Sequence, residues 1–151
     1  MILNFSTTIN GKPTYFVEKI WMSLRPFSPA EYLVKMDSLD LSPYFLKKHF
    51  KPKIHTIRQD KHNRWKKDMR IDFYINSRTK SAFCFAPFLA VKRVQIIEII
   101  ENDIFIDDRQ LALFEIQKLA KNDGFDSVAD FYDYFGSNYT GKIIHWTDFK
   151  Y

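Results

Sequence analysis

The sequence has little cysteine and little glycine: one cysteine, Cys84, and four glycines in 151 residues. A single cysteine excludes a disulfide within the chain and every metal or redox site built on paired cysteines. With so few glycines, no loop has the spacing that cradles a phosphate, which argues against a nucleoside triphosphatase. The histidines His49, His55, His62 and His145 lack the paired spacing of a metal site. We therefore expect neither a metal nor a cofactor.

Long apolar runs are missing as well. No stretch approaches the roughly 18 apolar residues that a membrane-spanning helix needs. Residues 1–4 also lack the basic start and the small-residue cleavage site of a signal peptide. A lone cysteine fits a reducing compartment. Together these absences predict a cytoplasmic protein that has no membrane partner.

Aromatic residues, in contrast, are abundant. They make up 17% of the chain, with 15 Phe and 8 Tyr, and hydrophobic residues make up 46%. This composition is typical of a globular protein and not of a disordered one. A length of 151 residues suits one domain with a sizeable core, so we expect residues 1–151 to form a single domain.

Short strand-like and helix-like segments alternate along the chain, which indicates the α+β class. We predict strands near residues 2–9, 53–58, 69–75, 82–88, 91–100, 104–106 and 142–149, and helices over 15–24, 109–122 and 128–135. Four prolines bound or divide residues 25–50, which we interpret as a helical insertion. Three roles are open for the insertion. It would form a lid that shapes a pocket, fill space without a function of its own, or present an aromatic surface to a protein partner.

Local signals predict several element boundaries. Asn10-Gly11 is a strong turn signal. Pro13 fits the first turn of a helix, and Asp108 can cap the helix over 109–122. Ser127 with Asp130 forms a variant of the capping box for the last helix.

The densest cluster of reactive side chains lies in Lys53-Ile54-His55-Thr56-Ile57-Arg58. A lysine, a hydroxyl and a guanidinium this close can supply a proton acceptor, a nucleophile and an anion clamp. Because side chains alternate along a strand, Thr56 and Arg58 share a face, and Lys53 can meet Thr56 only if strand pairing begins after Lys53. Pro52 favours this, since it cannot donate to a sheet ladder. The alternative is an ordinary strand with a solvated basic face.

A buried carboxylate is predicted at the end of the helix over 109–122. Apolar residues repeat there with helical spacing: Ala112, Leu113, Ile116, Leu119 and Ala120. Asp123 continues this stripe and should lie at a helix carboxyl end, where the dipole disfavours negative charge by a few tenths to ~1 kcal/mol. Such a carboxylate needs a cation, for which Lys53 is the candidate. The alternative is that Asp123 merely ends the helix.

Positive charge is concentrated between residues 47 and 70, where ten Lys or Arg stand against two acids. Four residues in this stretch are candidates for nucleic-acid contact: Lys61, Arg64, Trp65 and Lys67. Cations can follow a phosphate backbone, and an aromatic ring can stack on a base. The alternative is an ordinary basic face.

Several short motifs occur in an order that resembles the ASCH domains, relatives of the PUA-like β-barrels. The main motif is Lys53-x-x-Thr56-x-Arg58, followed two positions on by an acidic residue. The likeness extends to the segment 3–20, the strand that opens after Trp65-Lys66-Lys67-Asp68-Met69, the strand at 91–100, the helix end Leu119-Ala120-Lys121-Asn122-Asp123-Gly124-Phe125 and the closing Gly141-Lys142-Ile143-Ile144-His145-Trp146. It covers most of the chain except residues 25 to about 50, and it implies a PUA-like mixed β-barrel with flanking helices.

Some ASCH proteins are small amidohydrolases that remove the acetyl group from the exocyclic amine of 4-acetylcytidine with a lysine, a threonine and a glutamate. Others have no established activity, and RNA binding has been proposed for them. By resemblance, the lysine matches Lys53, the threonine matches Thr56, and the glutamate falls on Asp123, which is one methylene shorter. The resemblance thus implies a nucleoside or RNA ligand, with either a hydrolase or a non-catalytic module that binds RNA or a modified base.

Three further residues are assigned to substrate binding. Arg58 would bind a carbonyl oxygen or a phosphate, His55 would contact the substrate beside it, and Trp146 would line the pocket because the family's last strand runs beside the signature strand. The glycine that usually precedes the second strand is replaced by Asp68, which also tolerates the left-handed conformation.

The implied mechanism needs a lysine that is neutral part of the time. Thr56 would attack the amide carbonyl while Lys53 takes its proton, and Asp123 would orient the resulting ammonium. An alternative has Lys53 and Asp123 position a water molecule, with Thr56 only contacting the ligand.

Overall fold

The computed structural model describes residues 1–24 and 50–151. The predicted insertion at 25–50 lies outside the described residues except for Phe50. The described part contains β1 (Ile2–Asn4), β2 (Thr8–Ile9), β3 (Lys12–Pro13), α1 (Phe16–Leu24), β4 (His55–Arg58), β5 (Arg70–Ile75), β6 (Phe83–Cys84), β7 (Leu89–Ala90), β8 (Arg93–Ile100), β9 (Asp103–Ile106), β10 (Arg109–Gln110), α2 (Leu113–Asn122), α3 (Val128–Phe135) and β11 (Asn138–His145). The α+β class is therefore confirmed.

The chain forms two compact units. The first comprises Met1–Lys53 and Arg70–Leu89, and the second comprises Ile54–Met69 and Ala90–Tyr151. Within the described residues the strands form three sheets, none of which closes into a barrel. The single domain and the PUA-like barrel therefore remain predictions. Over the same residues, no helix is both long and apolar enough to cross a membrane.

The first unit is built around aromatic packing. β1 pairs with β5 in parallel, with Leu3 opposite Phe73, and β5 pairs with β6 in antiparallel orientation. Phe5 stacks on Phe73, and both rings lie about 6 Å from that of Phe85. The indole Nε1–H of Trp21 donates to the Phe85 carbonyl oxygen at 3.1 Å. This hydrogen bond fixes α1 against the aromatic core.

The hairpin of β2 and β3 confirms the turn at Asn10-Gly11, where both residues have positive φ. The prediction that Pro13 opens the helix is wrong, because Pro13 pairs with Thr8 in β3. A proline is tolerated in such an edge strand. The Thr14 hydroxyl donates to the Ser6 carbonyl oxygen at 2.7 Å and accepts the Phe16 N–H at 3.3 Å, so the helix begins only at Phe16.

The second unit contains a five-stranded sheet in the order β10-β9-β8-β11-β4. β4 is its edge strand and pairs with β11 in antiparallel orientation, with His55 opposite His145 and Thr56 opposite Ile144. Strand alternation places His55 on one face and Thr56 with Arg58 on the other. Strand pairing begins after Lys53, which meets the condition that Pro52 favoured, although the strand itself was predicted from residue 53 and starts at His55.

The two helices of the second unit differ in how well the sequence predicted their starts. Asp108 does not cap α2: it has φ of 65° between β9 and β10, and the helix starts at Leu113. Leu113 is also 80% exposed, so the predicted stripe is buried only from its second turn onward. The Ser127 cap of α3 is confirmed, because its hydroxyl accepts the Asp130 N–H at 3.0 Å.

Candidate active site

The carboxyl end of α2 lies along the open edge of β4. The Asn122 carbonyl oxygen accepts the Ile54 N–H at 3.0 Å, and the Asp123 carboxylate accepts the Ile57 N–H at 3.1 Å. An uncovered edge strand would expose these donors. The helix end thus holds the Asp123 carboxylate against the backbone next to Thr56.

Asp123 is buried, as the helical stripe predicted, with 3% of its surface exposed. The helix dipole opposes its negative charge, but the Ile57 N–H offsets that cost with a hydrogen bond to the carboxylate. The Nδ1 atom of His55 lies 3.4 Å from the same carboxylate oxygen. The shorter side chain of an aspartate therefore reaches β4 directly.

His55 is fully buried and linked on its other side to Tyr151. Its Nε2 lies 2.8 Å from the Tyr151 hydroxyl, which also accepts the Asn122 side-chain N–H at 2.9 Å. Burial raises the pKa of Tyr151, so the phenol keeps its proton at neutral pH. These contacts connect His55 to the protein interior. The predicted role of His55 as a substrate contact remains untested.

His145 lies beside His55, as its partner on the neighbouring strand β11, with the two ring centroids 5.1 Å apart. Burial, followed by the neighbouring charges of His55 and Arg93, lowers the pKa of His145 to about 3, and Asp123 opposes the shift. His145 is therefore neutral at pH 7. Within the described part of the chain, neither of its ring nitrogens has a hydrogen-bond partner.

Lys53 belongs to the first unit and is buried, with 1% of its surface exposed. Its backbone N–H donates to the Lys19 carbonyl oxygen at 2.9 Å. Its ammonium lies 4.7 Å from the centroid of the Phe16 ring and 5.9 Å from that of Phe5. A lysine is rarely this buried, which marks the position as a functional candidate.

Thr56 belongs to the second unit and is also buried, with 3% of its surface exposed. On its face of β4, Arg58 is half-buried. Trp146, directly after β11, is 2% exposed. The convergence of the Lys53 ammonium with the Thr56 hydroxyl and the Asp123 carboxylate remains a prediction.

The basic loop after β4 is organised by Asp60. Its carboxylate accepts the backbone N–H groups of Arg64 and Trp65 at 3.0 and 2.9 Å, and Lys142 lies 3.2 Å away. Burial alone would raise the pKa of Asp60, but these hydrogen bonds outweigh it and lower the pKa. These contacts tie the backbone of the loop to Asp60.

The predicted nucleic-acid contacts fall on this loop. Lys61, Arg64 and Lys67 are exposed. Trp65 is only 5% exposed, so stacking on a base would require its ring to leave the interior. Its role in base stacking remains a prediction, whereas the cations are accessible.

Sequence reasoning missed Tyr151 and its support. The Tyr151 N–H donates to Gln95 Oε1 at 3.1 Å, and the Gln95 amide donates to Asp107 at 2.8 Å. Gln95 is 2% exposed. A glutamine within the apolar run of a predicted strand needs hydrogen-bond partners if it is buried, and this is the sequence signal that could have indicated the network. Tyr151 and His55 are 96 residues apart, so no local pattern connects them.

The described residues contain no group of three or more His, Cys, Asp or Glu side chains that could hold a metal ion. No protein-family model, curated protein or solved structure matches the chain.

Proposed function

We propose that the chain is a cytoplasmic ASCH-like protein of PUA-like fold that acts on a nucleoside or RNA ligand. Its proposed reaction is hydrolysis of the amide on the exocyclic amine of 4-acetylcytidine-type nucleosides. Lys53, Thr56 and Asp123 are the proposed catalytic set. No step of this reaction requires a metal or a cofactor.

One observation carries the proposal: a buried carboxylate is hydrogen-bonded to the backbone beside the proposed nucleophile. Asp123 Oδ1 accepts the N–H of Ile57, the residue after Thr56. Burial and the helix dipole both disfavour a charged carboxylate there, and the Ile57 N–H offsets only part of that cost, which supports a functional role for Asp123. The burial of Lys53 supports the same interpretation, because desolvation disfavours the charged form of a lysine.

In the proposed reaction the Thr56 hydroxyl oxygen attacks the acetyl carbonyl carbon while Lys53 accepts the hydroxyl proton. The carbon–nitrogen bond then breaks, Lys53 returns the proton to the leaving amine, and the acetyl group stays on Thr56 as an ester. Water hydrolyses this ester to acetate and regenerates the hydroxyl. Asp123 orients Lys53 and stabilises the ammonium between these steps.

The test is a screen of acylated nucleosides with wild-type protein and with Thr56→Val, which keeps the side-chain shape but removes the hydroxyl. We expect release of the free nucleoside and the acid by the wild type and a loss of about a hundredfold or more in Thr56→Val. Product release is measured by chromatography. Equal turnover by the two proteins would remove Thr56 as the nucleophile and favour the positioned-water alternative.

A second candidate function, contact with a nucleic-acid backbone, is favoured by the ordered basic loop. Asp60 accepts hydrogen bonds from the loop backbone, and Lys61 and Lys67 are exposed. Arg64 is also exposed, with its Nε 3.8 Å from Asp60 Oδ1. Preorganised cations lose less conformational entropy when they bind phosphates than flexible ones do. This property suits either a non-catalytic RNA-binding module or a hydrolase that acts on RNA.

If the loop binds RNA, the affinity for a single-stranded RNA should fall steeply as salt is raised. Lys61→Ala and Lys67→Ala should each weaken binding to a similar extent for different RNA sequences. Each should also reduce the slope of log binding constant against log salt concentration by about one. Lys80→Ala, an exposed lysine in the first unit, is the matched control. Fluorescence anisotropy measures each affinity. Equal affinities at low and physiological salt would exclude this candidate.

A further inference from the structure

A chain of hydrogen-bonding side chains leads to Asp123 from outside the proposed catalytic set. The Asn122 amide donates to the Tyr151 hydroxyl at 2.9 Å, and that hydroxyl lies 2.8 Å from His55 Nε2. On the other side of the ring, His55 Nδ1 lies 3.4 Å from Asp123 Oδ1. His55 therefore sits between a tyrosine that is held in place and the carboxylate.

The partners in this chain favour one arrangement of protons. The Tyr151 oxygen accepts the Asn122 N–H and still has its phenolic proton to donate, and His55 Nε2 is an acceptor within reach of that proton. A neutral imidazole that accepts at Nε2 carries its proton on Nδ1. That nitrogen lies 3.4 Å from Asp123 Oδ1, a close polar contact whose geometry falls short of a hydrogen bond. The arrangement favours one tautomer of His55 and one orientation of its ring.

We propose that His55 is a positioning residue, which Tyr151 and Asn122 hold as the Nδ1–H tautomer so that it keeps the Asp123 carboxylate fixed against β4. The catalytic part of this inference rests on the proposed function, whereas the hydrogen-bonded chain does not. His55 acts through Asp123 and does not contact the substrate. This assignment replaces the substrate contact that the sequence predicted for it.

Two observations support a positioning role over a substrate contact. His55 is fully buried, and its side chain lies on the opposite face of β4 from Thr56. Among the described residues of the second unit, two further rings pack against His55: His145, at 5.1 Å between centroids, and Tyr151, at 5.5 Å.

The first test is NMR of the folded protein. Nitrogen chemical shifts of the imidazole should show the proton on Nδ1 of His55 in the wild type, and a mixture of tautomers in Tyr151→Phe. Tyr134→Phe, which removes an exposed hydroxyl, should change nothing. The pKa of the Asp123 carboxyl, measured by carbon NMR, should rise by about one unit in His55→Leu, because a donor to the charged form is lost.

The second test is kinetic. His55→Leu should lower kcat on an acylated cytidine about ten- to hundredfold with KM unchanged, as expected for a misplaced catalytic group. His55→Asn, whose side-chain N–H can replace Nδ1–H, should restore much of kcat. If the wild type hydrolyses no acylated nucleoside, the proposed function fails while the NMR results still decide the role of His55. A proton on Nε2, an unchanged Asp123 pKa in His55→Leu, or a rise in KM alone would overturn the proposal.

Discussion

The free energy of unfolding should fall as the pH is lowered from about 6.5 towards 3, at up to about 1.4 kcal/mol per pH unit, because of His145. Burial lowers the pKa of this histidine to about 3 in the folded protein, while the unfolded chain titrates near 6.5. Between these values the unfolded state binds the proton and the folded state does not. The accumulated loss should reach about 2 to 3 kcal/mol by pH 4.5 and about 4 kcal/mol by pH 3.5.

Urea denaturation at a series of pH values measures this dependence, with His145→Phe as the comparison. The variant keeps an aromatic ring but cannot titrate. Its free energy of unfolding should therefore change less with pH between 6.5 and 4.5, by a slope that corresponds to about one proton fewer bound on unfolding. Asp60 and Glu115 have lowered pKa values, and their contributions are lost only at lower pH, as the carboxylates protonate. Parallel curves for the wild type and the variant in this range would contradict the assignment.

Replacement of Lys53 should abolish hydrolysis of acylated nucleosides, with a fall of about 10² to 10⁴ in kcat for Lys53→Met. The methionine keeps most of the side-chain volume against Phe16 and Phe5, so the fold should be retained. Lys53→Arg keeps the charge but cannot give up its proton near neutral pH, and it should be equally inactive. Steady-state kinetics measures both effects.

Lys80→Met provides the matched control, because this lysine is exposed in the same unit as Lys53. Its kcat should equal that of the wild type, and circular dichroism should show that all variants are folded. An active Lys53→Arg variant would show that the position needs only a positive charge. In that case Lys53 is not the proton acceptor.

The positions that sequence predicted best are those whose reason is local. Asp123 continues a buried stripe of α2, and it is buried. Pro52 precedes the strand, and pairing begins at His55, after Lys53. Asp68, which stands where the resembling family has a glycine and was noted as tolerating the left-handed conformation, has φ of 66°. Each of these predictions needed only a helical period, one proline or one backbone preference.

The predictions that failed were decided by contacts distant in sequence. Pro13 is the exception, since it joins an edge strand through a nearby partner, Thr8, across the Asn10-Gly11 turn. The last strand starts at Asn138, earlier than the predicted 142, because residues 138–141 pair with 97–100 of β8. Likewise, nothing near His55 in the sequence indicates Tyr151. Register and side-chain networks are tertiary properties, which a local pattern does not specify.

The most direct test of the proposed hydrolase is a single-turnover experiment in which folded protein in excess is mixed with 4-acetylcytidine and quenched over time. We expect release of cytidine together with an acetyl group on the peptide that contains Thr56, detected by mass spectrometry, and neither product with Thr56→Val. Absence of free cytidine at all times with the folded wild-type protein would contradict the proposed hydrolysis.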